Sequence, residues 1–147
     1  MPLVYVLAIV SLLSVNSARS NIEFTKDSLE VVKKNVATKK AVLVDVRSIQ
    51  EWNQGHIDGS IFLPVTSLRK GGDAKILSKT LPKKRILYTF CVVGMRAKTA
   101  AYELGKHGYT VRTLKPGYDE LLKAGFKKGK HEPAAAKDES TRQRNAG

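Results

Sequence analysis

The chain has 147 residues, enough for one domain of ordinary size and too few for a second core of comparable weight. Hydrophobic residues at 42% and charged residues at 27% are a normal globular mix, which excludes a chain disordered throughout. Twenty-six Lys and Arg against 13 Asp and Glu leave a formal charge of +13, favouring anionic substrates or surfaces, and the single cysteine, Cys91, excludes an internal disulfide and any multi-cysteine metal cluster.

Residues 3–15, LVYVLAIVSLLSV, form an apolar run shorter than the roughly 20 residues of a transmembrane helix, and small polar residues follow it. This is the pattern of a secretory signal, with cleavage expected after Ser17, Ala18 or Ser20. Only Met1 and Pro2 precede the run, so no basic side chain opens it; an uncleaved anchor and a buried core helix are the competing readings. The expectation is a signal peptide over residues 1–20, a periplasmic or secreted destination and no transmembrane span after cleavage.

A helix is predicted over 27–34, with Asp27 as its cap and Glu30 three residues on. Residues 41–46, AVLVDV, are a β-branched apolar run typical of a strand buried on both faces. Ser48 and Glu51 form a capping box opening a helix over 48–54, and Gly55 sits where that helix stops. A second strand is predicted over 85–90, RILYTF. The helix over 96–107 places Ala97, Ala100, Ala101 and Leu104 on one face and ends before Gly108, and a third strand follows over 109–114, YTVRTL.

Strands separated by helices imply a parallel sheet with helices on both faces, an α/β fold in one domain over 21–127. Beyond Phe126 the sequence has no apolar periodicity, and residues 128–147 are expected to be a disordered basic tail.

In such sheets ligands bind beyond the carboxyl ends of the strands, where loops enter helices. Two junctions qualify: Asp45-Val46-Arg47 after the first strand, and Cys91-Val92-Val93-Gly94-Met95-Arg96 after the second. A cysteine opening a helix faces unpaired backbone N–H groups and the positive end of the helix dipole, both of which favour the thiolate. Arg96 adds a full charge nearby, and Gly94 permits the twist that turns successive N–H groups inward around an anion. A free cysteine is more often a buried inert residue; its position at the strand end, with Gly94 and Arg96 beside it, tips the balance toward a nucleophile.

These segments, taken together, resemble the rhodanese family in order and spacing: Asp45-Val46-Arg47, Glu51-Trp52, Gly55-His56-Ile57-Asp58-Gly59-Ser60-Ile61 with Leu63-Pro64, Cys91 to Ala97, Gly108-Tyr109-Thr110-Val111 and Gly117-Tyr118. The resemblance runs from about residue 22 to 126. It implies a single rhodanese-like domain acting as a sulfurtransferase. Cys91 takes a sulfane sulfur from a small anionic donor such as thiosulfate, becomes a persulfide, and passes the sulfur to cyanide or a thiol. Backbone amides of Val92, Val93, Gly94, Met95 and Arg96 then form the cradle, with no cofactor and no metal. Asp45 and Arg47 are implied to be supporting groups that hold the cysteine loop, or simply a structural ion pair. The four-residue separation of Arg47 and Glu51 allows an ion pair without dictating one, since Arg47 lies just before the helix cap.

Related cysteine phosphatases and arsenate reductases have five residues between Cys and Arg, leaving room for a tetrahedral oxyanion. Here four intervene, which fits one sulfur atom better than a phosphate. Two departures from the family pattern bear on the donor. Val92 and Val93 are apolar where thiosulfate-active members often carry a basic or polar residue, and Pro116-Gly117 stands where a Gly-Gly pair is common. Both point toward a persulfide or thiosulfonate rather than thiosulfate.

His56 is expected to pack and hydrogen-bond rather than activate the thiol, Trp52 to be core, and His107 to suit a helix C-terminus. Three dispersed histidines and one cysteine lack the spacing of a zinc site. The lysines are distributed rather than interleaved with aromatics on one surface, so no nucleic-acid partner is expected. A monomer is expected. The rival reading is a rhodanese-like sulfur carrier or binding module without turnover.

Overall fold

The computed structural model describes residues 22–130. The signal segment expected over 1–20 and the chain beyond 130 lie outside the described residues. In chain order the elements are α1 (Leu29–Ala37), β1 (Ala41–Asp45), α2 (Ile49–Gln54), β2 (Ile61–Phe62), α3 (Val65–Leu68), α4 (Ala74–Thr80), β3 (Ile86–Phe90), α5 (Met95–Lys106), β4 (Val111–Thr113) and α6 (Tyr118–Lys123). The strands form one parallel sheet in the order β2-β1-β3-β4. The α/β class and the parallel pairing match the alternation in the sequence.

Side chains alternate between the two faces of a strand, and each face has its own core. Val42, Val44, Leu87 and Cys91 lie in one cluster with Leu68 of α3, Leu77 of α4, and Ala97, Ala100 and Leu104 of α5. Ala41, Leu43, Tyr88 and Phe90 lie in the other with Val32 of α1 and Leu121 of α6. β1 is buried at every position, as its unbroken apolar run requires. The small residues Ala97 and Ala100 let α5 lie close on the sheet, where Thr89 Oγ1 donates to the Ala97 carbonyl at 3.2 Å.

The register of β1 and β3 positions the site. Ala41 pairs with Ile86 and Asp45 with Phe90, so the two strands end level with each other. The Val46 amide still donates to the Phe90 carbonyl at 3.1 Å. The segment carrying Arg47 and the one carrying Cys91 therefore leave the sheet side by side.

Several boundaries differ from the sequence reading. Helix α1 is capped by Ser28, whose hydroxyl accepts from the Val31 amide, and not by Asp27. Asp27 instead accepts from the Tyr88 hydroxyl at 2.5 Å and from Arg112 at 2.6 Å. Those partners come from strands 61 and 85 residues away, a competition invisible to a local capping rule. The three predicted strands are shorter at one or both ends, and α5 starts one residue earlier, at Met95. Three helices had no sequence prediction: α3, α4 and α6. Asp73 caps α4 by accepting from Lys75 and Ile76, yet the helix buries only Leu77, too little for an apolar period to show.

Of the stretch expected as a tail, Lys128 and Gly129 pair with the segment after α2. Ile57 and Lys128 form an antiparallel bridge, and the Gly129 amide donates to the His56 carbonyl at 2.9 Å. At the other end, Phe24 bridges Thr113 of β4. Among the described residues no helix is long and apolar enough to cross a membrane.

Candidate active site

Cys91 follows β3 directly and keeps the phase of Leu87 and Thr89, so its side chain turns toward α5. The residue is 1% exposed. Its sulfur is not enclosed by apolar groups alone: the Gly94 amide donates to Cys91 Sγ at 3.1 Å. Gly94 is the N-cap of α5 with φ +88°, in the left-handed region that glycine adopts without strain. The same turn that reverses the chain brings its amide back over the sulfur. The next amides open the first turn of α5, where no carbonyl lies one turn back to receive them.

Two contacts hold this loop. A side chain at Gly94 would begin 2.4 Å from the Phe24 ring, so the ring lies flush on the glycine, and Lys98 covers that ring at 4.3 Å from its centroid. On the other side, a side chain at Gly117 would begin 2.1 Å from the Val92 carbonyl oxygen, and the Tyr118 amide donates to the Cys91 carbonyl at 3.1 Å. Gly117 is thus required for close approach of two backbones. Val92, Val93 and Met95 of the same loop project outward at 48%, 68% and 64% exposure, an apolar collar on the loop's outer face.

Asp45 and Arg47 form a buried ion pair. Arg47 Nε and Nη2 donate to the Asp45 carboxylate at 2.9 and 2.7 Å, and Nη2 also donates to the Gly55 carbonyl at 2.7 Å. The guanidinium lies over the Tyr118 ring, 4.2 Å from its centroid. Arg47 therefore ties the end of β1 to the turn after α2 and to the segment that braces the cysteine loop. It pairs with Asp45 rather than with Glu51, the partner that the sequence spacing allowed, because Asp45 offers a planar fork two residues away.

Glu51 turns instead to Arg96. Its two oxygens accept from Arg96 Nη1 at 2.7 Å and Nη2 at 2.9 Å, while Oε2 also accepts from the Ser48 amide and hydroxyl. The capping box predicted at Ser48 and Glu51 is present, and the same carboxylate clamps the far end of the cysteine loop. The Arg96 bonds hold the Glu51 carboxyl down to about 2, against the opposing effect of burial. Arg96 is raised above its ordinary value, first by Glu51 and further by the nearby Cys91.

The structure thus places the Gly94 amide and the Arg96 side chain beside Cys91, in the loop that also carries Val92, Val93 and Met95, with Asp45 and Arg47 at the adjoining strand end. A groove of about 700 Å³ opens beside Val92, lined among others by Arg47, Glu51 and Tyr118. His56 stacks on the buried Trp52 ring at 3.9 Å in a separate groove that no residue of the cysteine loop lines. His107 caps the C-terminus of α5. Sequence reasoning did not assign Phe24, Gly117, Tyr118 or the Glu51–Arg96 pair to the site. Glu51 was already accounted for by its helix cap, and Phe24 carries no local signal at all.

The model of the rhodanese-like domain family matches residues 28–124. Among curated proteins the chain is 34% identical over 73 residues to MoeZ of Mycobacterium tuberculosis, named as an adenylyltransferase/sulfurtransferase; the match covers 49% of this chain and 17% of that protein. It is 29% identical over 83 residues to YrkF of Bacillus subtilis, whose name gives it as a sulfur carrier, covering 56% of this chain and 42% of that one. The chain therefore spans less than half the length of either relative. Among solved structures, the single-domain sulfurtransferase RDL2 of Saccharomyces cerevisiae superposes with a TM-score of 0.55 at 26% identity, covering 69% of this chain and 95% of its own.

Proposed function

Because the chain belongs to the rhodanese-like domain family, we propose that it is a sulfurtransferase in which Cys91 is the nucleophile and sulfur carrier. The observation that supports this most directly is the Gly94 amide directed at Cys91 Sγ at the head of α5. That amide, with those of Val92, Val93, Met95 and Arg96, is suited to stabilise a large anionic sulfur by hydrogen bonds and the helix dipole.

In the first half-reaction the Cys91 thiolate attacks the outer sulfur of a sulfane donor. With thiosulfate, the S–S bond of the donor breaks, sulfite leaves with the bonding pair, and Cys91 keeps a persulfide anion. In the second, cyanide or a thiolate attacks the outer persulfide sulfur, and the Cys91 thiolate departs. One nucleophile serves both halves, so the kinetics are ping-pong. Asp45 and Arg47 fix the neighbouring strand end, and Arg96 contributes electrostatically. The apolar run over residues 3–15 supports an exported protein, periplasmic or secreted.

The test is a panel of donors and acceptors with the wild type and Cys91→Ser. Parallel lines in double-reciprocal plots and no turnover by the serine variant are expected; turnover by the serine variant would remove Cys91 from the reaction. The likeness to YrkF favours a second reading, a carrier that accepts sulfur but does not release it. Release to cyanide distinguishes the two.

A further inference from the structure

The formal charge of the chain is +13, yet the groove beside Val92 has a lining that carries no net charge. The groove beside Val92 is lined by three cations, Arg47, Lys123 and Lys128, and by three anions, Glu51, Asp119 and Glu120. Both arginines at the site already have carboxylate partners. Arg47 is held by Asp45 and the Gly55 carbonyl, and both Nη groups of Arg96 are held by Glu51. The exposed apolar side chains of the cysteine loop are Val92, Val93 and Met95. The groove that Arg96 lines also holds Arg47 and Arg69, and two of these three guanidiniums are already bound to a carboxylate.

We propose that Glu51 determines donor specificity: by engaging both Nη groups of Arg96 it withholds that charge from an inorganic dianion and leaves the site to sulfane donors with an apolar organic end. Organic thiosulfonates and persulfides are such donors. The proposal rests on the sulfurtransferase reading and adds to it a residue that acts through Arg96. With a thiosulfonate, the Cys91 thiolate attacks the terminal sulfur, the bond between the two sulfurs breaks, and an organic sulfinate leaves with the electron pair. The charge is the same on both sides, and the organic group stays against the Val92, Val93 and Met95 collar throughout.

The experiment compares kcat/KM for thiosulfate and for benzenethiosulfonate, with cyanide as acceptor, in the wild type, Glu51→Gln and Ser48→Ala. The glutamine retains the size of the side chain and an oxygen that can accept from Ser48, but releases the Arg96 charge. The wild type is expected to prefer the thiosulfonate. Glu51→Gln is expected to shift the ratio of the two kcat/KM values toward thiosulfate by at least about threefold, chiefly through a lower KM for thiosulfate. Ser48→Ala weakens the helix cap while keeping the carboxylate, and is expected to leave the ratio at the wild-type value. A ratio unchanged in Glu51→Gln, or moved equally by Ser48→Ala, overturns the proposal and leaves sulfur transfer standing. A wild type that takes sulfur from neither donor overturns both.

Discussion

A side chain on Gly117 would begin 2.1 Å from the carbonyl oxygen of Val92, so the segment entering α6 lies directly against the peptide that follows the cysteine. The two backbones are joined on the other side of the same contact by the bond from the Tyr118 amide to the Cys91 carbonyl. The loop is positioned from outside as much as by its own turn. Gly117→Ala must push these backbones apart, at a cost of about 1–3 kcal/mol. The expected result is a lower urea midpoint together with slower alkylation of Cys91 by iodoacetamide. A variant with unchanged stability and alkylation would show that the loop does not depend on this contact.

Gly94 is constrained twice, by φ +88° and by the Phe24 ring. Gly94→Ala should cost about 1–2 kcal/mol for the left-handed backbone alone, plus the displacement of the ring. Phe24→Ala removes the second part and not the first. In a four-member denaturation cycle the double variant is therefore expected to be more stable than the sum of the single losses predicts. Strict additivity would place Phe24 away from the glycine.

How much of this was legible in the sequence follows from the distance over which each signal acts. The apolar run of β1, the alanine face of α5 and the Ser48–Glu51 capping box are local patterns, and each has its predicted place. The junctions at Arg47 and Cys91 were found from the rule that sites lie beyond strand ends, and the level register of β1 and β3 explains why they adjoin. Asp27 was assigned as a cap because its true partners, Tyr88 and Arg112, are remote in sequence. The packing of Phe24 and Gly117 on the cysteine loop is equally remote. Helices α3 and α6, of four and six residues, are too short for an apolar period to declare them.

The Glu51–Arg96 pair makes a pH prediction whose sign is fixed. The carboxyl of Glu51 is held down to about 2 in the folded chain, chiefly by Arg96, against an ordinary value of 4.5. As pH falls between those values the unfolded chain takes up a proton that the folded chain refuses, so stability is lost across this window and is fully present above it. The pair is partly open to solvent, which limits its contribution to on the order of 1 kcal/mol. Urea unfolding should therefore show Glu51→Gln less stable than the wild type near neutral pH, with the gap closing as pH falls from about 5 toward about 2. A gap that stays constant to low pH would mean that the carboxylate charge adds nothing.

Asp45 is fully buried and faces an Arg47 that is 4% exposed. Asp45→Asn leaves a guanidinium charge in the interior without its counter-ion, and breaking such a pair costs about 3–5 kcal/mol. Removing both charges together, as Asp45→Leu with Arg47→Met, is expected to cost considerably less than the two single losses combined. Denaturant midpoints for the three variants and the wild type give the coupling directly. A small loss for Asp45→Asn would mean that water reaches the arginine.

The central claim, that Cys91 takes up and releases a single sulfur atom within a cradle begun by the Gly94 amide, is tested most directly by intact-protein mass spectrometry. The wild type, incubated with a sulfane donor and desalted, is expected to gain the mass of one sulfur atom at Cys91 and to lose it on addition of cyanide as thiocyanate forms. A chain that gains no sulfur from any donor, or that gains it equally well as Cys91→Ser, contradicts the account.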